Sequence, residues 1–161
     1  MRLSTRARYG LRALFAISQG DGEAISSEKI SRRQAISKKY LDELLRSLRQ
    51  HGFVRTVRGR HGGYMLGRTP QEITVLAVVE CLDGPIRLAP CVDQDDVCPR
   101  TEGCPTRPIW QTATKGIRDI LGGMSLATLM ESPMHGEACV ELLTSHANPP
   151  RDARSELDPN E

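Results

Sequence analysis

The stretch "SKKYLDELLRSLRQHGFVRTVRGRHGGYML", Ser37 to Leu66, decides the fold. Its first half is helical in period. Tyr40, Leu41, Leu44, Leu45 and Leu48 fall on one face, and Ser37 stands where an N-cap belongs. Gly52 lies just past the end, where a left-handed residue is wanted. The second half changes period. Phe53 to Val57 and Tyr64 to Leu66 have strand character, joined by the tip "RGRHGG". The tip carries two arginines and a histidine and almost nothing to bury, so its charges face outward.

Upstream, Ser4 caps a predicted helix of about fourteen residues, with Ala7, Leu11, Leu14, Phe15 and Ile17 on one broad face. Gly20-Asp21-Gly22 stops it. Ser26 or Ser27 then caps a short helix over "EKISRR", and "QAI" makes a turn into the helix that opens with Lys38 and Lys39. Two helices joined by a tight turn, then a strand–tip–strand, are the outline of a winged helix-turn-helix. A basic hairpin of this kind can lie in a minor groove.

Downstream, "TPQEITVLAVVECLDG" predicts a helix from near Thr74 to Gly84. A polar loop follows, and then a long helix with Pro105 in its first turn. Ile109, Ala113, Ile117, Ile120 and Met124 recur at steps of 4, 4, 3 and 4, and Trp110 and Leu121 widen the stripe. A helix this apolar on one side, beyond a compact wing domain, is expected to pack against its copy in a homodimer. Gly122-Gly123 ends it, and Ser125 caps a short final turn. Three regions result: DNA-binding over 1–70, connecting helix, cysteine loop and dimerisation helix over 71–130, and a polar, largely disordered tail over 131–161. The fold class is mainly α with a small β-hairpin wing.

Charge agrees with this division. Residues 1–70 carry 15 Lys/Arg against 5 Asp/Glu and the remainder 7 against 15, which together make the net +2 of the 161-residue chain. A basic half points to a polyanion, here double-stranded DNA. No apolar run approaches the roughly 20 residues of a membrane span. The basic, then apolar N-terminus is broken by Arg12 and lacks a small-residue cleavage site, so it reads as an amphipathic helix of a cytoplasmic protein. An enzyme is disfavoured, because no nucleophile–base pair, phosphate loop or catalytic carboxylate pair stands out. "GRHGG" lacks the spacing of a phosphate-binding loop.

The loop "CVDQDDVCPRTEGCP" places Cys91, Cys98 and Cys104 in a Cys-x6-Cys-x5-Cys pattern among Asp93, Asp95, Asp96 and Glu102. Soft thiolates suit iron–sulfur clusters. A zinc site or a thiol–disulfide switch is the other reading. Cys81 belongs to an apolar helix and reads as core, and Cys139 as an incidental thiol.

"MRLSTRARYGLRAL", the Ser37–Leu66 stretch, "ITVLAVVECLDG" and the cysteines, in this order over roughly residues 1–130, resemble the IscR/NsrR/CymR family of bacterial winged-helix regulators. The resemblance implies a dimeric transcriptional regulator. Cys91, Cys98 and Cys104 would hold an iron–sulfur cluster, with 2Fe–2S favoured over 4Fe–4S, that senses iron, redox state or nitric oxide. Others in the family, of the CymR type, lack the cysteines and respond through a protein partner. Carried over by position, Ser37, Lys38, Lys39 and Tyr40 and the wing residues Arg58, Arg60 and His61 would read DNA, and Arg2 and Arg6 would approach phosphates. Asp42 falls where IscR has a glutamate that helps choose between sites. Two departures concern the fourth ligand. IscR has Cys-x5-Cys-x5-Cys-x2-His, whereas this chain has one more residue in the first gap and Arg107 at the histidine position. NsrR uses an aspartate from the first helix, where this chain has Arg8. The loop carboxylates, His135, Cys139, a residue across the dimer or a small molecule remain for that position.

Overall fold

The computed structural model describes residues 3–100 and 102–131. Arg2, His135, Cys139 and residues 132–161 of the tail expected to be disordered lie outside them, while Glu131, counted with that tail, ends the last helix. Six α-helices and two strands are seen among the described residues: α1 Thr5–Ser18, α2 Ser27–Gln34, α3 Lys38–Gln50, β1 Val54–Val57, β2 Gly63–Leu66, α4 Val75–Asp83, α5 Arg107–Gly123 and α6 Leu126–Glu131.

Local chemistry sets most of these boundaries. The Ala7 N–H donates to Ser4 Oγ at 3.2 Å, the Lys29 N–H to Ser26 Oγ at 3.3 Å and the Ala77 N–H to Thr74 Oγ1 at 3.2 Å. Each bond satisfies an amide that the first turn leaves unpaired. Ser37 precedes α3 as expected but makes no side-chain cap. Ala35, at φ 51°, is the left-handed residue between α2 and α3, and Gly52, at φ 75°, is the one after α3.

α1, α2, α3 and α4 surround one core. Leu14, Ile30, Leu41, Leu44, Leu45, Leu48, Val78 and Leu126 are all at most 1% exposed within it. The wing is antiparallel, Val54 opposite Leu66 and Val57 opposite Gly63. Ile25 adds a third rung. Its N–H donates to the Tyr64 carbonyl, and the Tyr64 N–H donates back, both at 2.9 Å. This pairing presses Gly63 against the Ile25 backbone, where a Cβ would lie 2.4 Å from the carbonyl oxygen. The wing is therefore bolted, just below its tip, to the turn before α2, while the tip itself stays exposed.

Two details differ from the sequence reading. The long helix starts at Arg107, with Pro108 rather than Pro105 in its first turn. A 3-10 turn, Pro90–Val92, lies within the polar loop. Proline is equally suited to either of those N-terminal positions, so composition could not choose between them.

Candidate DNA-binding face and cysteine loop

Ser37, Lys38 and Lys39 are exposed at the start of α3, and Arg58, Arg60 and His61 are exposed on the wing tip. Both groups are clear of the core and carry an excess of positive charge. Lys38 is paired with Glu28 of α2, a partner not foreseen from sequence. This contact, first as a hydrogen bond and then as charge, holds the Glu28 carboxyl below and the Lys38 ammonium above their ordinary pKa values. Tyr40 is half-buried, edge-on to Tyr9 with ring centroids 6.1 Å apart. It packs on the core, so only part of it remains available. Asp42 is half-buried on the next position but one.

Arg6 is exposed in the first turn of α1, with a guanidinium nitrogen 3.5 Å from Ser47 Oγ of α3. Two further arginines stiffen the frame. Arg12 bonds the side chain and carbonyl of Gln34 at the end of α2, over the Tyr9 ring. Arg68 donates to the His51 carbonyl at 2.7 Å, over Phe53. Neither was marked by any local motif, because each partner lies 17 or more residues away.

Cys91, Cys98 and Cys104 are all half-buried on the loop between α4 and α5. Cys104 sits just before α5. A hydrogen bond with Thr106 Oγ1 at 3.3 Å, the backbone amides of Thr106 and Arg107, and the charge of Arg100 hold its thiol below the ordinary value. Cys81 is the opposite case: burial pushes its thiol up, against a smaller pull from Arg6 and Arg68. Asp95, Asp96, Cys98, Pro99, Glu102 and Arg107 line an open cavity of about 670 Å³.

Arg107 laces the loop. Its Nε donates to the Cys91 carbonyl at 2.8 Å, and Nη2 pairs with Asp95. Among the described residues, no three His, Cys, Asp or Glu side chains converge as a metal site would require. The chemistry of the donor set suits an iron–sulfur group: three soft thiols share one polar loop, of which Cys98 lines the cavity and Cys91 and Cys104 do not. Arg107 does not supply a fourth donor. A guanidinium stays protonated and has no lone pair to give.

α5 has two sides. Ile117 and Leu121 pack with Ala7, Val75, Val79 and Ile86 of the same chain. Ala113 and Ile120 are half-buried, whereas Ile109 is 58% and Trp110 42% exposed. The sequence stripe is thus shared between an internal contact and an uncovered one.

A helix-turn-helix with a basic wing bolted beside it defines a winged-helix DNA-binding regulator. Residues 3–132 match Rrf2, the family of iron-dependent transcriptional regulators, and the chain belongs to it. It is 40% identical over 131 residues to protein rrf2 of Nitratidesulfovibrio vulgaris, covering 81% of this chain and 87% of that one. Among solved structures it resembles T. potens IscR, with TM-score 0.67 and 30% identity over 81% of this chain and 87% of that one. It also resembles CymR, the global cysteine regulator of B. subtilis, with TM-score 0.68 and 29% identity over 80% and 95%. The protein is a transcriptional regulator and not an enzyme. None of its described helices is long and apolar enough to cross a membrane.

Proposed function

We propose that this Rrf2 regulator binds double-stranded DNA as a homodimer and senses iron, redox state or nitric oxide through an iron–sulfur cluster on Cys91, Cys98 and Cys104. The observation that carries this reading is the place of the thiols. They lie on one polar loop that runs from the 3-10 turn into the first turn of α5. That loop joins the DNA-binding unit to the helix with the uncovered apolar residues.

Each element then has a task. Ser37, Lys38, Lys39 and Tyr40 enter the major groove, with Asp42 biasing the choice of site. Arg58, Arg60 and His61 follow the minor groove, and Arg2 and Arg6 hold phosphates. The arginines and lysines give salt-dependent affinity, and the few side chains at the start of α3 give the base-specific part. Ile109, Trp110, Ala113 and Ile120 meet the partner helix, with Ile117 and Leu121 bracing them from within. A bound cluster would supply iron–thiolate bonds that tie the three loop positions together. Arg107 meanwhile holds the Cys91 backbone and Asp95 against the start of α5. Ordering this loop fixes α5, and through it the spacing of the two wings.

Cys98→Ala tests the coupling. A folded dimer is expected whose DNA affinity differs from wild type by about 5–150-fold, the range of ordinary allosteric coupling. Binding identical to wild type would refute it. The lowered Cys104 thiol favours a second reading, a metal-free thiol switch, because a thiolate is also what oxidants attack. The likeness to CymR keeps a partner-regulated form of the same fold as the remaining alternative. Iron content separates both from the cluster.

A further inference from the structure

The first turn of α1 is built against its own helix. It holds Arg6 and Arg8 and no acidic residue. Cations at a helix N-terminus face the positive end of the macrodipole, so this turn would fray if left alone. Yet Arg6 is the residue that the DNA-binding reading aims at phosphate.

The missing anion comes from another helix. Asp83 is the last residue of α4, where a negative charge is unfavourable to α4 itself. Its Oδ2 accepts the Ser4 N–H at 3.1 Å, and its Oδ1 accepts the Ser4 hydroxyl. Ser4 Oγ in turn accepts the Ala7 N–H. The carboxylate thus performs from 79 residues away what the acidic partner of a capping box performs within one helix. The next contact along the pair fixes the same register. Further along α1, at Gly10, a Cβ would lie 2.2 Å from Leu82 Cδ1, so the side chain of Leu82 packs directly on the bare α1 backbone. Asp83 is itself held, because Gly84 closes α4 on the Glu80 carbonyl and Glu80 anchors the Ile86 N–H and Arg118.

We propose that Asp83 is a positioning residue for DNA binding: it caps α1 from α4 and so holds Arg6 at the phosphate backbone. This rests on the reading of α1's first turn as DNA-facing. The proposal has a sign that simple electrostatics does not share. Removing an anion close to DNA should strengthen binding. Removing a positioning anion should weaken it.

The test uses the full chain and a fluorescein-labelled duplex of mixed sequence, titrated by anisotropy over a series of KCl concentrations. Circular dichroism and thermal unfolding are run on the same samples. For Asp83→Ala the expected result is binding weakened by about 3–10-fold, with a salt slope shallower by about 1 for each engaged subunit, the loss of one phosphate contact. Arg6→Ala should show the same fall in slope. The pair Ser4→Asp with Asp83→Asn keeps the net charge and reverses the polarity of the cap, and it should restore slope and affinity. Unchanged or tighter binding by Asp83→Ala overturns the proposal. So does a loss that merely tracks the unfolded fraction at unchanged slope. If Arg6→Ala lowers the slope and Asp83→Ala does not, the cap alone is wrong. If Arg6→Ala leaves it unchanged, the DNA-facing reading of this turn falls as well.

Discussion

Gly63→Ala unfastens the wing. A Cβ at this position would lie 2.4 Å from the Ile25 carbonyl oxygen, 2.5 Å from its carbon and 2.8 Å from the Ser26 nitrogen. All three are backbone atoms, so no side chain can swing away. Ordinary contact requires 3.4 Å or more, which the strand reaches only by retreating about 1 Å. The two 2.9 Å hydrogen bonds between Ile25 and Tyr64 would then stretch beyond hydrogen-bonding distance. Two such bonds are worth about 2 kcal/mol together, and forced overpacking costs about 1–3 kcal/mol more where the strand resists. The expected destabilisation is about 3 kcal/mol, or a fall of roughly 10 °C in Tm for a domain of this size. Thermal unfolding by circular dichroism measures it. Anisotropy with duplex DNA should show weaker binding even well below Tm, because the strand that carries the tip is no longer fixed. Gly123→Ala, where nothing lies within 4 Å, is the control and should stay within about 0.5 kcal/mol of wild type. A Gly63→Ala protein with unchanged Tm and DNA affinity would refute the reasoning.

Four further outcomes are expected. Glu28→Gln frees Lys38 and removes a nearby anion, so binding tightens and the salt slope steepens by about 1 per subunit; an unchanged slope counts against Lys38 as a phosphate or base contact. Because the Glu28 carboxyl is held below its ordinary value, its contribution to stability is complete above the ordinary glutamate range and is lost as pH falls through the lowered folded value. Any Tm difference between wild type and Glu28→Gln should therefore vanish in acid and persist at neutral pH. Trp110→Glu should raise the dimer dissociation constant at least about 30-fold by sedimentation, as loss of an aromatic anchor does, and leave the fold intact because Ile117 and Leu121 still pack within the chain. Arg107→His puts a lone pair where the guanidinium has none. Cluster colour should then bleach more slowly in air than in wild type, whereas Arg107→Ala, which unlaces Cys91 and Asp95, should bleach faster.

What the sequence revealed follows the range of the interactions involved. Helix caps act over three residues: Ser4 was readable as one, and Ser26 as one of two candidates, whereas Ser37 had the position of a cap but makes no cap bond. The apolar periods of α1 and α3 marked the core, and the charge of Lys38, Lys39, Arg58 and Arg60 marked the exposed face. The cysteine spacing marked the loop but not its lacing. Arg107 is 16 residues from Cys91, and as a sequence symbol it read only as a missing histidine. Asp83 and Ser4 are 79 residues apart, and nothing local to either names the other. The division of α5 was hidden for the same reason. A single apolar stripe served both its own chain and an uncovered face, and only the packing of Ile117 and Leu121 on Val75 and Val79 distinguishes the two.

In the proposed function, Cys91, Cys98 and Cys104 hold an iron–sulfur cluster. The most direct measurement is iron and acid-labile sulfide per chain, with a visible absorption spectrum, on protein purified without oxygen. Near-stoichiometric iron and sulfide and a sulfur-to-iron charge-transfer band are expected, both lost in Cys98→Ala. Colourless protein free of iron that still binds DNA would contradict it.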